Sequence, residues 1–494
     1  PADAKGEITL KARAALGEHL GDLNSLLADF QVSDLQMQIQ KPGETALQLD
    51  GAISLEIKQL ATQPDWTVKL KPGLALSVKT KSDKPWQADV MLDQAYTLQA
   101  ATAQGKLPVS LQFGNAEQIK LVVENLKLSN LASPDHFKAS GFMRVLPSSF
   151  LPDWPRVGAI ANWHWHDSQL EADGKLTSQG QLVLADWRGN YAGKTGCTNF
   201  RLQHSGQLSQ LNGFLQTRPA ALAPLMLHSG SSQGSLTGKL CPKTGKPTTL
   251  IGEFVIRQGK LGWAKTIASG LELKLRIDDL QAQKGTLSAE LERIDLATSL
   301  QLSPVRLKLD LANNRLVLHE ISAGLLDGRI ASEPTTMPMP PRTGALVLDV
   351  EDVDLARLLA MIDLPGLDGT GSLSGKLPVS WTDGKAVIRD GRLQSMVAGQ
   401  LRYQPSPPVS DNIGLQALRD FHYSRLDLGV NYEADGQYRL ALKLDGHNPQ
   451  LYSGHPIAFN MNINGALPGL FQGALLSGDF SAYLLKQLEQ GKLQ

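Results

Sequence analysis

The sequence predicts an all-β chain with a few short helices, laid out as an elongated antiparallel meander. Three observations carry that prediction. Apolar and polar residues alternate with period two over most of the chain, as strands with one buried face require. Turn signals recur about every 8 to 15 residues, the spacing of hairpin-linked strands. A strand pair also recurs: Gly234-Ser-Leu-Thr-Gly238-Lys-Leu240 with Phe254-Val-Ile-Arg-Gln-Gly-Lys-Leu261 rhymes with Gly371-Ser-Leu-Ser-Gly375-Lys-Leu377 and Ala386-Val-Ile-Arg-Asp-Gly-Arg-Leu393. Repeats that stack side by side make long molecules rather than round ones.

The 494 residues have the length of about three ordinary domains. The repeat favours one long unit, with sections at 1–218, 219–343 and 344–494. Lys plus Arg number 48 and Asp plus Glu 48, so no net field draws nucleic acid and no basic run forms a membrane patch. Charged residues are 19 %, below the roughly 25 % of ordinary soluble domains, which suits a sheet with more apolar surface than its own core uses. No stretch reaches the ~20 apolar residues of a membrane span. Pro1 is not an initiator, so the chain reads as a fragment or a processed form with any anchor left out.

In chain order, a short helix is expected from Leu16 to Leu27, then a strand from Leu47 to Ile57 with Leu47, Leu49, Ile53, Leu55 and Ile57 on one face. Further strands are expected at Leu74–Lys79, Leu107–Phe113, Ile119–Leu128, Ala139–Leu146, Ile160–Leu170, Lys175–Leu184 and Thr198–Leu208. Cys197 and Cys241, the only cysteines, lie among turn residues. They suit either a disulfide or two free thiols; no zinc spacing is present. Leu271, Leu273, Leu275 and Ile277 alternate with Glu272, Lys274 and Arg276, and Val305 to Leu311 repeats the pattern. The proline-rich Pro334–Pro341 is a turn, an edge cover or a seam.

The chain is organised around residues 343–381. Leu346, Leu348 and Val350 share a strand face, Asp354 can cap a helix carrying Leu355, Leu358, Leu359 and Ile362, and Pro365-Gly366 stops it before a second strand. So short a helix must dock on a sheet. Leu222, Leu225 and Leu227 echo this helix before the earlier repeat copy. In the last section Leu426, Leu428, Val430 and Tyr432, then Tyr438, Leu440, Leu442 and Leu444, then Ile457, Phe459, Met461 and Ile463 make three apolar rows. Arg439, Lys443, Asp445, Asn460, Asn462 and Asn464 lie opposite, and an amphipathic helix is expected at about Asp479–Gln490.

Motifs with chemistry are sparse. Gly369-x-Gly371-x-x-x-Gly375 has the wrong spacing for a dinucleotide loop, and Gly193-Lys194-Thr195 lacks the earlier phosphate-loop glycine, since Arg188 stands there. His164 and His166 alternate on one strand, with Asp173 or His204 as a distant third metal ligand; a polar strand face opposite Trp163, Trp165 and Asp167 is the plainer reading. Neither a catalytic residue nor a metal ligand is assigned, and no enzyme is expected.

Several motifs resemble a known group. Val353-Asp-Leu-x-x-Leu-Leu with the glycine-spaced strand to Val379, Leu418-Arg-Asp-Phe-x-Tyr-Ser-x-Leu426, and the run from Asn448 to Pro468 are similar to the AsmA-like superfamily of bacterial envelope proteins, which includes TamB-like members. The likeness covers about Gly344 to Gln494; upstream only the strand rhythm agrees. It implies a strongly curved sheet folded lengthwise into an open hydrophobic groove, β-taco-like, bridging the inner and outer membranes for phospholipid movement in the periplasm of a Gram-negative bacterium. It also implies an inner-membrane anchor through an N-terminal helix that this chain lacks, and a small outer-membrane lipoprotein (YnbE-like) as partner. From the pattern alone, a closed sandwich core stays open as the alternative.

A groove carrier needs one continuous apolar face and no chemistry. About 25 to 30 strands at ~4.8 Å would extend roughly 120 to 145 Å. A 16-carbon chain loses on the order of 12 kcal/mol in leaving a bilayer, at about 0.8 kcal/mol per CH2, and an apolar trough offsets most of it. Candidate lining residues are Leu346, Leu348, Val350, Leu428, Val430, Leu440, Leu442, Leu444, Phe459, Met461 and Ile463, so Leu442→Asp or Met461→Arg is expected to block passage in a folded protein. No cofactor is expected beyond bound phospholipid or detergent acyl chains. The strand carrying Ile457, Phe459, Met461 and Ile463 is the candidate edge for an added partner strand, with the terminal helix as the alternative cover. Competing functions are an envelope scaffold or assembly factor for outer-membrane proteins, and a sandwich that binds carbohydrate or adhesin ligands.

Overall fold

Strands with one apolar face are stable only when neighbours stack in register, and the computed structural model shows that register strand by strand. It describes residues 3–5, 8–16, 25–40, 46–60, 66–81, 86–92, 94–99, 102–113, 119–129, 136–148, 156–178, 183–215, 223–241, 249–279, 282–296, 300–339, 342–361, 366–383, 385–404 and 413–466. Two compact units emerge, one of Pro1–Ser205, Gln210–Arg218 and Ser235–Thr249, the other of Gly206–Ser209, Pro219–Gly234 and Leu250–Gln494.

In the first unit β1 (Asp3–Lys5) and β2 (Ile8–Leu16) both pair antiparallel with β3 (Ser25–Gln40), which pairs with β4 (Ala46–Leu60). Of the helix expected at Leu16–Leu27, the described ends are strand instead: Leu16 ends β2 and is the register partner of Leu26 in β3. Gly17 and Gly21 weaken a helix there, while the ladder satisfies the backbone on both sides; residues 17–24 lie outside the described residues.

Six short strands follow: β5 (Trp66–Leu70), β6 (Ala75–Lys81), β7 (Trp86–Met91), β8 (Tyr96–Gln99), β9 (Thr102–Gln104) and β10 (Lys106–Phe113). They form two branches. One runs from β4 through β5, β8 and β9, the other from β4 through β6, β7 and β10. Both rejoin at β11 (Ile119–Ser129), whose pairing with β12 (Lys138–Ser148) shifts register between Glu124 and Lys127. Leu74, Leu92 and Tyr96 are buried there, with Leu70, Leu76, Val90, Leu107 and Leu126 around them. The division of the strands is thus filled by a core of its own.

From β12 a regular meander continues through β13 (Val157–His166), β14 (Gln169–Ser178), β15 (Val183–Ala192) and β16 (Cys197–Gln207). Two expected strands are out of phase with it. Ile160–Leu170 is cut by a two-residue turn at Asp167 and Ser168, with φ of 45° and 62°. Such primed turns match the twist of a hairpin, and Asp tolerates the left-handed region without a glycine to announce it. Asp167 accordingly leaves the strand face of Trp163 and Trp165. Lys175–Leu184 straddles the end of β14 and the start of β15. A disulfide joins Cys197 to Cys241 across 44 positions of sequence. Closing a loop of that length restricts the unfolded chain by about 4 kcal/mol in the chain-entropy model. Replacing both cysteines by Ser should lower the urea midpoint of this unit accordingly, and reductant should do nothing further to that variant.

After the single turn α1 (Leu211–Phe214) comes β17 (Leu225–Leu240). The helical echo at Leu222 is not a helix at its described end: Leu225 and Leu227 belong to β17, because Pro224 disfavours helix for the residue before it and the strand beyond has pairing partners. The second unit continues with β18 (Thr249–Trp263), β19 (Thr266–Asp279), β20 (Lys284–Leu291), β21 (Arg293–Asp295), β22 (Gln301–Ala312), β23 (Arg315–Leu325), β24 (Gly328–Ser332) and β25 (Thr335–Pro338). The proline-rich segment supplies β25, a flank of four residues paired to β23.

Then come β26 (Thr343–Asp354), α2 (Leu355–Ala360), β27 (Leu367–Gly369), β28 (Ser372–Thr382), β29 (Lys385–Ser395), β30 (Gly399–Tyr403), α3 (Ile413–Leu418), β31 (Phe421–Tyr432), β32 (Gln437–His447) and β33 (Ile457–Ala466). Asp354 caps α2, its Oδ1 accepting from the Arg357 N–H at 2.8 Å. Asp354→Ala should cost about 1 kcal/mol, read as a lower denaturation midpoint.

The repeated Val-Ile-Arg strand now has a structural meaning. In β18 the register slips between Ile256 and Gly259, and in β29 between Ile388 and Gly391. The residue before each glycine, Gln258 or Asp390, is left-handed, with φ of 52° and 56°. Each copy therefore encodes a β-bulge, which bends and twists its strand. The N–H that a bulge frees is satisfied from the next strand: Gln258 donates to Glu272 Oε1 at 2.8 Å and Asp390 to Asn431 Oδ1 at 3.1 Å. Asp352 repeats the device in β26, with φ 51° and its N–H on Ser374 Oγ at 2.9 Å.

Candidate functional site

Register turns the alternation of β26–β33 into rows that run across the strands. Val350, Gly375, Leu393, Leu428, Leu442 and Met461 are successive partners through β26, β28, β29, β31, β32 and β33. Beside them run Gly391, Val430, Leu440 and Ile463, and on the far side Leu426, Leu444 and Phe459. A fourth line joins Leu346, Val379, Ile388, Tyr432 and Tyr438. Six strands at ~4.8 Å carry a row about 24 Å long, more than the ~15 Å half-thickness of a bilayer's hydrocarbon.

The face has two environments. At one end of the strands Leu355 and Leu359 of α2 and Leu418 of α3 join Val350, Leu428, Leu442 and Leu444 in one buried cluster. Leu442 is 4 % exposed and Leu444 1 %. Two polar groups hold this cluster in place. Asn448 is buried and its Nδ2 donates to the α3 carbonyls of Gln416 and Ala417 at 3.2 and 3.1 Å. The Tyr423 hydroxyl donates to Thr370 O at 2.6 Å, and burial raises its pKa. Leu346, Leu348, Val430, Leu440, Phe459, Met461 and Ile463 are only half-buried. The eleven candidate positions thus share one apolar face, but four of them are core. Leu442→Asp consequently tests folding rather than passage, a correction to the sequence reading.

Sequence reasoning missed Leu377, Val379, Trp381, Ile388 and Leu393 on the same face. It also missed α3, whose six residues are too few to show a helical period. The opposite face is polar and exposed at Arg439, Lys443, Asp445, Asn460, Asn462 and Asn464. Ion pairs lie on this side across neighbouring strands, Lys274 with Glu253 at 3.1 Å, Arg306 with Glu290 at 3.0 Å, and Lys308 with Glu320 at 3.0 Å. The hydrogen bond from Lys308 lowers the Glu320 pKa. Being exposed, each pair adds at most about 1 kcal/mol.

β33 pairs with β32 along its length and has no second strand partner among the described residues. Its half-buried Ile457, Phe459, Met461 and Ile463 therefore stand where the rows end; the expected helix at Asp479–Gln490 lies outside the described residues. His166 lies 3.6 Å from Asp167 and 3.9 Å from Glu171, and among the described residues no group of three or more His, Cys, Asp or Glu could hold a metal ion. Gly193-Lys194-Thr195 forms the β15–β16 turn. Among the described residues no helix is long and apolar enough to cross a membrane.

Comparison with known proteins gives one match. The family model YdbH-like, described as intermembrane phospholipid transport protein YdbH, matches residues 155–489. No curated protein and no solved structure matches the chain.

Proposed function

Because the chain belongs to the YdbH-like family of intermembrane phospholipid transport proteins, we propose that its apolar face is the path along which phospholipid crosses the envelope. The observation that carries this reading is the register of aliphatic rows across β26–β33, with exposed polar residues behind them. Near-uniform Leu, Val, Ile and Met offer an acyl chain burial without a deep local minimum, so the chain is held and still slides.

The protein acts in the periplasm as a bridge between the inner and outer membranes, with acyl chains in an open groove and headgroups in water. Full-length protein is anchored in the inner membrane by an N-terminal helix. At the other end, β33 accepts a strand from a small outer-membrane lipoprotein, whose apolar side chains continue the rows past Phe459, Met461 and Ile463. No chemical step is involved, since every role is borne by apolar surface.

The test is lipid extraction and native mass spectrometry on protein purified from a bacterial periplasm, followed by transfer of labelled phospholipid between vesicles. Phospholipid should co-purify and transfer should rise with protein concentration. A chain of bare mass that transfers nothing would overturn the reading and favour an envelope scaffold.

A further inference from the structure

The apolar face of each unit has its own character. In β26–β33 it is chiefly aliphatic, whereas across β13–β16 of the first unit it is aromatic. Trp163, Trp165, Trp187, Tyr191 and Phe200 are all half-buried on that side, with exposed His164, Asp173, Arg188 and Asn190 on the other. Register sets the rings against small residues: Trp163 is partnered by Gly141 and Ala172, and Trp187 by Gly174. A Cβ at Gly174 would run into the backbone of Ile160 and Ala161, and one at Gly189 would lie 3.4 Å from Trp187 Cζ3. Trp187 thus has a glycine as its partner on one flank and Leu202 of β16 on the other.

Its Nε1–H is buried and has no hydrogen-bond acceptor among the described residues. An indole N–H can only donate, and burying it unpaired is a standing penalty that an incoming acceptor relieves. Its terminal torsion is broad, so a turn of the ring on the glycine flank brings the N–H to such an acceptor. The ligand that matches must bring apolar surface for the rings and a neutral acceptor within the apolar layer. A hydrocarbon tail has no acceptor, and a phosphate would bring a charge onto an apolar face. The ester carbonyl of an acylated glycerol meets both demands, and Trp and Tyr favour the same border in bilayers.

Resting on the phospholipid reading above, we propose that the β13–β16 face holds the ester-linked glycerol region of a phospholipid, with Trp187 Nε1–H donating to an ester carbonyl. Aliphatic stretches then serve the tails, and this aromatic stretch is where the head-to-tail boundary pauses.

The experiment uses whole protein with 15N-labelled indoles. Eight tryptophans give eight indole N–H resonances, and that of Trp187 is the one lost in Trp187→Phe or, should that chain fold poorly, in Trp187→Tyr. Diacyl phosphatidylethanolamine and its dialkyl-ether counterpart of equal chain length are titrated, with native mass spectrometry counting bound lipid. The Trp187 resonance should move downfield with the diacyl lipid alone. Trp187→Phe should weaken diacyl binding about 2- to 10-fold more than it weakens ether-lipid binding, the range of one net hydrogen bond. Bound diacyl lipid with an unmoved Trp187 resonance, or an equal shift with the ether lipid, overturns the assignment while lipid carriage stands. Failure of both lipids to bind overturns this assignment and the phospholipid reading together.

Discussion

Met461→Arg should yield a folded protein that no longer passes phospholipid. Met461 is half-buried on β33, opposite Leu442 and beside Phe459 and Ile463. Its strand has a free flank among the described residues, so an arginine can lay its stem along the apolar row and turn its guanidinium toward water. The fold should tolerate this. A guanidinium at the margin of the path imposes on each passing acyl chain about 2.5 to 3.5 kcal/mol, the cost of Arg in a hydrocarbon layer, which is a factor of roughly 70 to 350 in rate. Vesicle-to-vesicle transfer should fall by that order while the circular dichroism spectrum and urea midpoint stay near wild type. Undiminished transfer would remove β33 from the path.

Leu442→Asp should behave quite differently, although the two side chains are cross-strand partners. Leu442 is packed beneath the two helices with Leu428, Leu444 and Phe421. Removing the leucine leaves a cavity, and the aspartate must either stay charged without a partner or take up a proton in an apolar site. The expected loss is about 5 kcal/mol or more. Protease resistance of the C-terminal strands should disappear and expression should drop. Leu442→Ala, at about 3 kcal/mol, should sit between this variant and wild type. A stable, lipid-loaded Leu442→Asp protein would mean that α2 and α3 do not cover this position in solution.

The contrast between these two residues shows what can be read from the chain. Leu442 and Met461 look alike in an alternating pattern, because alternation reports which face a side chain occupies and nothing about what lies above that face. The cover is supplied by segments some 25 to 90 positions away, and α3 is too short, at six residues, for a helical periodicity to betray it. Strand existence was legible for the opposite reason, since period-two burial is local. Parity was not. Ile388 and Leu393 are five apart and fall on one face only because Asp390 adds a residue to its strand. The turn at Asp167-Ser168 was missed because it takes left-handed geometry with no glycine. Cys197 and Cys241 could be read as a pair only by their even number; that they meet is a fact of the fold.

The bulges at Gln258, Asp352 and Asp390 bear on how such a chain changes its size. Each strand that carries one sets its own bend, and the donor it releases is answered by the adjacent strand rather than by a distant part of the molecule. Where the answering strand is the next in the chain, as Glu272 of β19 is for Gln258 of β18, a duplicated hairpin brings its curvature and its hydrogen-bond partner with it, adding about 10 Å of sheet at ~4.8 Å per strand. Reach is then an adjustable quantity, set by how many copies of a self-sufficient two-strand module a gene retains.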